Sequence, residues 1–193
     1  TIAYANSLKL TIEKPIPFIG GSDYNKDNLQ RSGLVKIDQI GAHYYLGENI
    51  GYYLGLVGSK EQAAYTQYET NSRSYGHFSS NYLNLGPEVG LWAQPSSILR
   101  LEGGLTVSHG DFELSDSTSS IVTLSNTRKI DLHFSYIYPA DFLSTDMILE
   151  IIEKIGYYKV FLNEFSYNGV VYSTSELNLK TYIYFSIGLG IIF

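Results

Sequence analysis

Apolar and polar residues alternate with period two along most of this chain, and the last stretch shows it most regularly. From Leu177 to Phe193 the odd positions read Leu177, Leu179, Thr181, Ile183, Phe185, Ile187, Leu189, Ile191 and Phe193. The even positions are Asn178, Lys180, Tyr182, Tyr184, Ser186, Gly188, Gly190 and Ile192. Side chains on a strand alternate faces, so this pattern predicts one strand with a nearly pure apolar face and an opposite face that is polar, aromatic or small. Some 17 residues is long for a soluble sheet, whose strands run about 5–6. A tilted strand crossing hydrocarbon needs about 9–11 residues with one face apolar throughout.

The same alternation recurs upstream. The first strand sets Leu8, Leu10, Ile12, Ile16 and Phe18 against Lys9, Thr11, Glu13, Pro15 and Pro17, with Lys14 the exception on its apolar side. Pro15 and Pro17 remove two ladder donors, which predicts a rim or a distortion there. In the second strand Ile40, Ala42, Tyr44 and Leu46 oppose Gln39, Gly41, His43 and Tyr45, but Val35 and Ile37 have changed phase, and a bulge near Asp38 would restore the register. After a tight turn at Gly47-Glu48-Asn49, Ile50, Tyr52, Leu54 and Leu56 oppose Gly51, Tyr53, Gly55 and Val57.

The fourth strand sets Leu83, Leu85, Val89 and Leu91 outward, with Tyr82, Asn84, Gly86, Glu88, Gly90 and Trp92 inward, and Gln94-Pro95-Ser96 turns it. The fifth has Leu99, Leu101, Leu105 and Val107 against Ile98, Arg100, Glu102, Gly104, Thr106 and Ser108. The sixth presents Ile130, Leu132, Phe134, Tyr136 and Tyr138 outward and Lys129, Asp131, His133, Ser135 and Ile137 inward, with a turn beginning at Pro139-Ala140-Asp141. The seventh, about 145–160, places Met147, Leu149, Ile151, Ile155 and Tyr157 opposite Ile148, Glu150, Ile152, Lys154 and Gly156. Its MILEIIEKI run also fits an amphipathic helix; an even strand number favours the strand.

Polar stretches near 19–33, 59–76, 110–127 and 161–176 read as long loops, and the connections between them are short. Long and short connections thus alternate, the pattern of a transmembrane barrel with long extracellular loops and short periplasmic turns. The expected fold is all-β: an eight-stranded antiparallel up-and-down transmembrane β-barrel, one domain over residues 6–193. Both ends of the chain then lie in the periplasm.

Length and composition agree. The chain has 193 residues, compatible with one eight-stranded barrel and too short for a porin. It has 18 Tyr and no Cys, so neither a disulfide nor a thiolate metal site is expected. A net charge of −6 with no basic stripe excludes a nucleic-acid partner. No window holds 18 consecutive apolar residues, so no transmembrane helix is expected. Ala3 and Ala5 have the small-residue spacing of a cleavage site, and residues 1–5 are expected to be a signal-peptide remnant.

The pattern as a whole, together with the closing FSIGLGIIF, resembles the small eight-stranded bacterial outer-membrane barrels, the class of the OmpA transmembrane domain and of OmpX and Ail. Phe185, Ile187, Leu189, Ile191 and Phe193 resemble the insertion signal of such barrels. The resemblance implies a multi-pass protein of the bacterial outer membrane, in contact with outer-membrane lipid and lipopolysaccharide and with the barrel-assembly machinery through its last strand. It implies no particular activity.

Three sets of residues could carry chemistry. Lys9, Glu13, Glu88, Arg100, Glu102, Lys129, Asp131, Glu150, Lys154 and Lys180 are expected to point into the lumen. In so narrow a space they should pair as a polar plug; a selective pore or narrow channel for small solutes is the alternative, with Gly86, Gly90, Gly104, Gly188 and Gly190 leaving space. His77 and Ser79 form a local H-x-S that looks like the catalytic element of outer-membrane lipid A deacylases, but Glu88, the nearest downstream acid on the strand, is expected in the lumen. The outward aromatics Tyr44, Tyr52, Tyr136, Tyr138, Tyr157 and Phe193 read as interface girdles. His43, His109 and His133 lack metal-ligand spacing, and neither metal nor cofactor is expected. The function that follows is a non-enzymatic surface anchor whose loops meet an extracellular ligand.

Overall fold

The computed structural model describes residues 6–20, 29–31, 35–68, 74–116, 121–144, 147–161, 164–167, 170–173 and 182–193. The signal remnant expected at residues 1–5 and the lumen candidate Lys180 lie outside them. The described elements are all strands: β1 (Ser7–Gly20), β2 (Leu29–Arg31), β3 (Lys36–Gly47), β4 (Ile50–Tyr68), β5 (Ser74–Ser96), β6 (Leu99–Asp116), β7 (Ile121–Ser144), β8 (Met147–Phe161), β9 (Glu164–Tyr167), β10 (Val170–Ser173) and β11 (Tyr182–Ile192).

Eight of them close a ring. β7, β6, β5, β4, β3, β1, β11 and β8 are neighbours in that order, β8 pairs back onto β7, and every pairing is antiparallel. Closure leaves no sheet edge, so every backbone group at membrane depth can bond within the sheet. The seam between β1 and β11 runs from Lys9↔Ile192 to Gly20↔Tyr182. Leu8 and Phe193 complete it by exchanging backbone hydrogen bonds of 2.9 and 3.3 Å.

Burial follows the alternation strand by strand. On the outside Ile12, Ile40 and Leu91 are 66%, 63% and 71% exposed, a degree that water would penalise and hydrocarbon does not. Phe185, Ile187, Leu189 and Phe193 face the same way on β11, and Tyr44, Tyr52, Tyr136, Tyr138 and Tyr157 also point outward. Residues 147–161 form a strand: Ile151, Ile155 and Tyr157 face out, while Glu150, Ile152 and Lys154 are buried.

Several sequence-based expectations need correction. There is no bulge at Asp38. β3 pairs with β4 without a shift from Lys36↔Gln62 to Gly47↔Gly51, so Val35 and Ile37 are buried in the lumen while Lys36 and Asp38 stand outside. Asp38 is held there by Lys14, 3.0 Å away. The loops expected at 59–76 and 110–127 are largely strand. β4–β5 pairing continues to Tyr68↔Ser74, and β6–β7 pairing to Ser115↔Ile121. These polar segments lie beyond the lipid-facing positions, where strand alternation has no hydrophobic contrast to reveal it. Within the 161–176 stretch, β9 and β10 pair with each other and β9 adds to β7; within 19–33, β2 adds to β4. Pro139-Ala140-Asp141 lies inside β7, at a register break between Ala140 and Ser144, and Ile98 stands exposed in the β5–β6 turn.

The prolines of β1 do mark a discontinuity. β1–β3 pairing ends at Glu13↔Gln39, just before Pro15, and the β1–β11 register shifts between Pro17 and Ile19. A missing N–H at each proline is the cause.

A lipid-facing charge should therefore cost far more on the belt than above it. Leu132→Arg, at a side chain 59% exposed on β7, should lower unfolding free energy in lipid vesicles by about 2–4 kcal/mol, and Gln62→Arg by about 0–1. Urea titration of the vesicle-embedded protein checks this; equal losses would contradict the lipid-facing assignment.

Candidate functional site

The polar side chains that alternate inward meet in the lumen and pack in layers. The layer nearest the short turns is built on an aromatic floor of Tyr45, Tyr53 and Trp92 with Ile192 and Ile148. Tyr45 stacks on Tyr53 at 5.2 Å, and the Trp92 indole N–H donates to the Leu46 carbonyl. On this floor Arg100 reaches two carboxylates, Glu102 through Nε at 2.7 Å and Glu150 through Nη2 at 2.7 Å. Lys9 bridges the same two acids at 3.3 and 3.4 Å. The Tyr45 hydroxyl donates to Glu102 at 2.7 Å, and the Arg100 guanidinium lies 4.8 Å from the Tyr45 ring centre. Four charges and a ring thus form one closed unit from β1, β3, β6 and β8.

In the next layer Lys154 of β8 and Glu13 of β1 pair at 2.8 Å over the inner face of β11. Two imidazoles converge on one carboxylate oxygen: His43 Nε2 is 3.2 Å and His133 Nε2 3.5 Å from Glu88 Oε1. The Thr106 hydroxyl donates to the other Glu88 oxygen at 2.7 Å, and Tyr53 Oη lies 3.2 Å from His133 Nε2. Beside them the Tyr184 hydroxyl meets both Asp131 oxygens, at 2.9 and 3.1 Å. Towards the far end Tyr158 donates to Glu61 at 3.0 Å, Lys129 sits 4.2 Å from the Tyr158 ring centre, and the Thr127 hydroxyl bonds to Tyr82 at 3.1 Å.

The structure thus places Lys9, Glu13, Glu88, Arg100, Glu102, Lys129, Asp131, Glu150 and Lys154 inside the barrel, all buried. What sequence reasoning missed is how they are satisfied. A phenol meets Glu61, Glu102 and Asp131, and a pair of histidines from β3 and β7 meets Glu88. The available signal was the recurrence of tyrosine at inward positions, namely Tyr45, Tyr53, Tyr82, Tyr158 and Tyr184. His43 and His133, which lack metal-ligand spacing in the sequence, are brought together by closure of the ring. Even so, no group of three or more His, Asp or Glu among the described residues has the arrangement of a metal site.

The lumen glycines also have a different use from the one expected. A Cβ on Gly90 or Gly104 would overlap the Tyr53 ring or hydroxyl, and one on Gly156 would overlap the Tyr184 ring. They are recesses that seat the tyrosines. Gly188 is filled in the same way by Glu13.

Ser79 is exposed on the outer face of β5. The Glu88 of the same strand is inside, engaged with His43, His133 and Thr106. The barrel wall separates that acid from Ser79; the His77 side chain lies outside the described positions.

Burial makes the pairing consequential, since removing one partner of a buried ion pair typically costs about 3–5 kcal/mol. Lys154→Met should lower stability by about that amount by leaving Glu13 alone, and the double change Lys154→Met with Glu13→Leu should recover most of it. A denaturant-based double-mutant cycle in vesicles reads the coupling; additive losses would show that the pair does not act as a unit.

No family model matches the sequence, and no curated protein matches it. Among solved structures, the chain is similar to Ail, the attachment invasion locus protein of Yersinia pestis, in complex with the heparin analogue sucrose octasulfate. That comparison has 10% identity, a TM-score of 0.48, and coverage of 98% of this chain and 99% of that one. Neisserial surface protein A, NspA, matches at 10% identity and a TM-score of 0.45, over 100% of this chain and 98% of that chain. The outer-membrane protease OmpT from Escherichia coli matches at 8% identity and a TM-score of 0.39, over 97% and 93%. In its own strand order, its closed antiparallel ladder and its apolar exterior, the chain has the architecture of a small outer-membrane β-barrel.

Proposed function

We propose that the chain is a non-enzymatic surface anchor, in which the barrel fixes a set of polar β-ribbons outside the outer membrane and the lumen is closed by its own paired charges. The observation that carries this reading is the filling of the lumen. The layers described above are spanned by side chains bonded to one another, and the glycines that would open a path are faced by other groups: Gly90 and Gly104 by Tyr53, Gly188 by Glu13, Gly86 by Val107 and Ser108 of β6, and Gly190 by Lys9 and Glu150. An eight-stranded barrel is only wide enough for its side chains to fill it.

The interacting part is then outside. The four segments 19–33, 59–76, 110–127 and 161–176 hold nine acids, of which Glu61 is turned into the lumen, against four bases, together with Tyr24, Tyr65, Tyr68, Tyr75, Tyr167 and Tyr172. Tyrosine with Ser and Asn supplies large, adaptable polar contact area, as in antibody paratopes. An extracellular ligand of this surface would be uncharged or cationic. On the same reading the belt contacts lipopolysaccharide and other outer-membrane lipid, and β11, with Phe185, Ile187, Leu189, Ile191 and Phe193 all on one face, is the strand addressed by the assembly machinery.

Two measurements test it. In planar bilayers the intact protein should give no steady unitary current, whereas stable openings would favour the narrow-channel reading. Joining the paired residues Gln62 and Asn81 by a two-residue turn should remove the β4–β5 ribbon and leave the barrel. Bacteria displaying the shortened chain should attach to a host-cell monolayer at least about tenfold less than bacteria displaying the full chain. Equal attachment, or attachment conferred by neither, would remove the anchor reading.

A further inference from the structure

The outer wall carries charges where the surrounding side chains are apolar. Lys14 lies on β1 between Ile12 and Ile16, its side chain 73% exposed, and pairs with Asp38, itself 64% exposed, at 3.0 Å. On β8, Glu153 points outward between Ile151 and Ile155. Among the described residues Glu153 has no cationic partner. β11 separates the two sites, and one hydrogen-bonded row joins them: Lys14 is opposite Ile187, and Ile187 is opposite Glu153.

An ionisable side chain facing lipid is expensive and marks a site whose partner should be named. The two sides of β11 carry outward charge of opposite sign next to Ile187. Asp38 has a second cation directly across the β3–β4 ladder, Lys60, whose side chain is also exposed. Lys14, Lys36 and Lys60 against Asp38 leave two positive charges on the β1 side of β11; on the β8 side Glu153 leaves a negative charge at the level of Ile187, the next outward cation of that strand, Lys159, lying six residues further on. Within one barrel they do not meet: Lys14 lies against Asp38, and Ile187 stands between it and Glu153.

A two-fold axis through Ile187 brings them together twice. In an isologous contact residue i meets j and j meets i, so Lys14 of each copy faces Glu153 of the other. The row is inclined to the membrane normal by the strand tilt of about 35–45°, which offsets the paired residues by about 6 Å along the normal, a span that the flexible lysine stem covers. The wall is also where the sheet is least complete: β1 stops pairing with β3 at Glu13, immediately before Lys14.

We propose that the β1–β11–β8 wall is the contact face of a two-fold dimer of this chain within the bilayer, centred on Ile187 and held by reciprocal Lys14–Glu153 pairs. The inference rests on the barrel lying in a membrane with this wall towards lipid. It adds a partner, a second copy of the same chain, to the surface anchor proposed above.

The chain contains no cysteine, which gives a direct test. The full chain carrying Ile187→Cys, folded in lipid vesicles at large lipid excess, should form a disulfide-linked dimer under copper–phenanthroline at least about tenfold faster than the same chain carrying Leu85→Cys on the distant β5 wall. Adding Glu153→Lys should abolish the excess, and the further change Lys14→Glu should restore it. No excess for Ile187→Cys overturns the dimer. Crosslinking unaffected by Glu153→Lys, or not restored by Lys14→Glu, overturns the charge pairing that defines it. Protein that crosslinks nowhere but floats with the vesicles refutes this inference alone; protein that fails to float refutes the membrane placement beneath it.

Discussion

The rest of this structure follows from one requirement: in hydrocarbon, no backbone N–H or C=O can be left without a partner. A β-sheet meets it only by closing on itself, and the β1–β11 ladder, finished by the Leu8–Phe193 exchange, is where this sheet closes. Closure forces each strand to have one face in lipid and one in a narrow lumen. The outer face can be plain apolar surface. The inner face is more demanding, because a space filled by side chains from eight strands admits little solvent to satisfy them.

That demand explains why the lumen is organised as it is. Arg100 between Glu102 and Glu150, with Lys9 bridging the same acids, is a network in which each charge answers another. Such networks contribute little net stability over an apolar core of equal volume, and their partial loss is costly. What the network adds here is register. A strand slipped by one residue would turn Lys9 or Glu102 towards lipid and an isoleucine or leucine inward, so the charges penalise the wrong pairing as strongly as they support the right one. The tyrosines serve the same end. Tyr53 and Tyr184 fit only where Gly90, Gly104 and Gly156 leave room, so aromatic and glycine positions on different strands are complementary in shape as well as in chemistry.

The alternation of apolar residues makes most of this barrel legible in the sequence, because lipid imposes a strong and simple contrast on the outward positions. Legibility fails where the contrast fades. Above the belt, Gln62, Ala63, Ala64 and Ser79 alternate between inside and outside as strictly as Leu54 or Leu85 do, yet both faces are polar or small, so continued strand looked like loop. At Asp38 the opposite error arose. Val35 and Ile37 are apolar because they fill the upper lumen, and an outward-apolar rule read them as a phase change. For the site, the inward placement of charges was readable from parity alone. The convergence of His43 and His133 on Glu88 was not, since it depends on which residues of three non-adjacent strands reach the same depth after closure. That is a property of the strand stagger, and single-strand periodicity carries no record of it.

The continuity of the ladders bears on where the membrane-spanning wall ends. β4 and β5 pair without interruption from Ile50↔Ala93 to Gln67↔Gly76, and no feature of the backbone marks the membrane boundary along that length. The boundary is chemical: outward leucines give way to Lys60, Gln62 and Ala64. Inside, the polar filling continues past the same level, with Glu61 bound by Tyr158 and Tyr82 bound by Thr127. A ribbon built as an extension of the barrel wall has its orientation set by the wall, so it starts from a rigid base. Substitutions on its outward positions change a surface without disturbing a core, since the residues that hold the ribbon to the barrel are the inward ones. The division of labour is thus by parity within each strand: alternate residues secure the barrel, and their neighbours face lipid below the boundary and solvent above it.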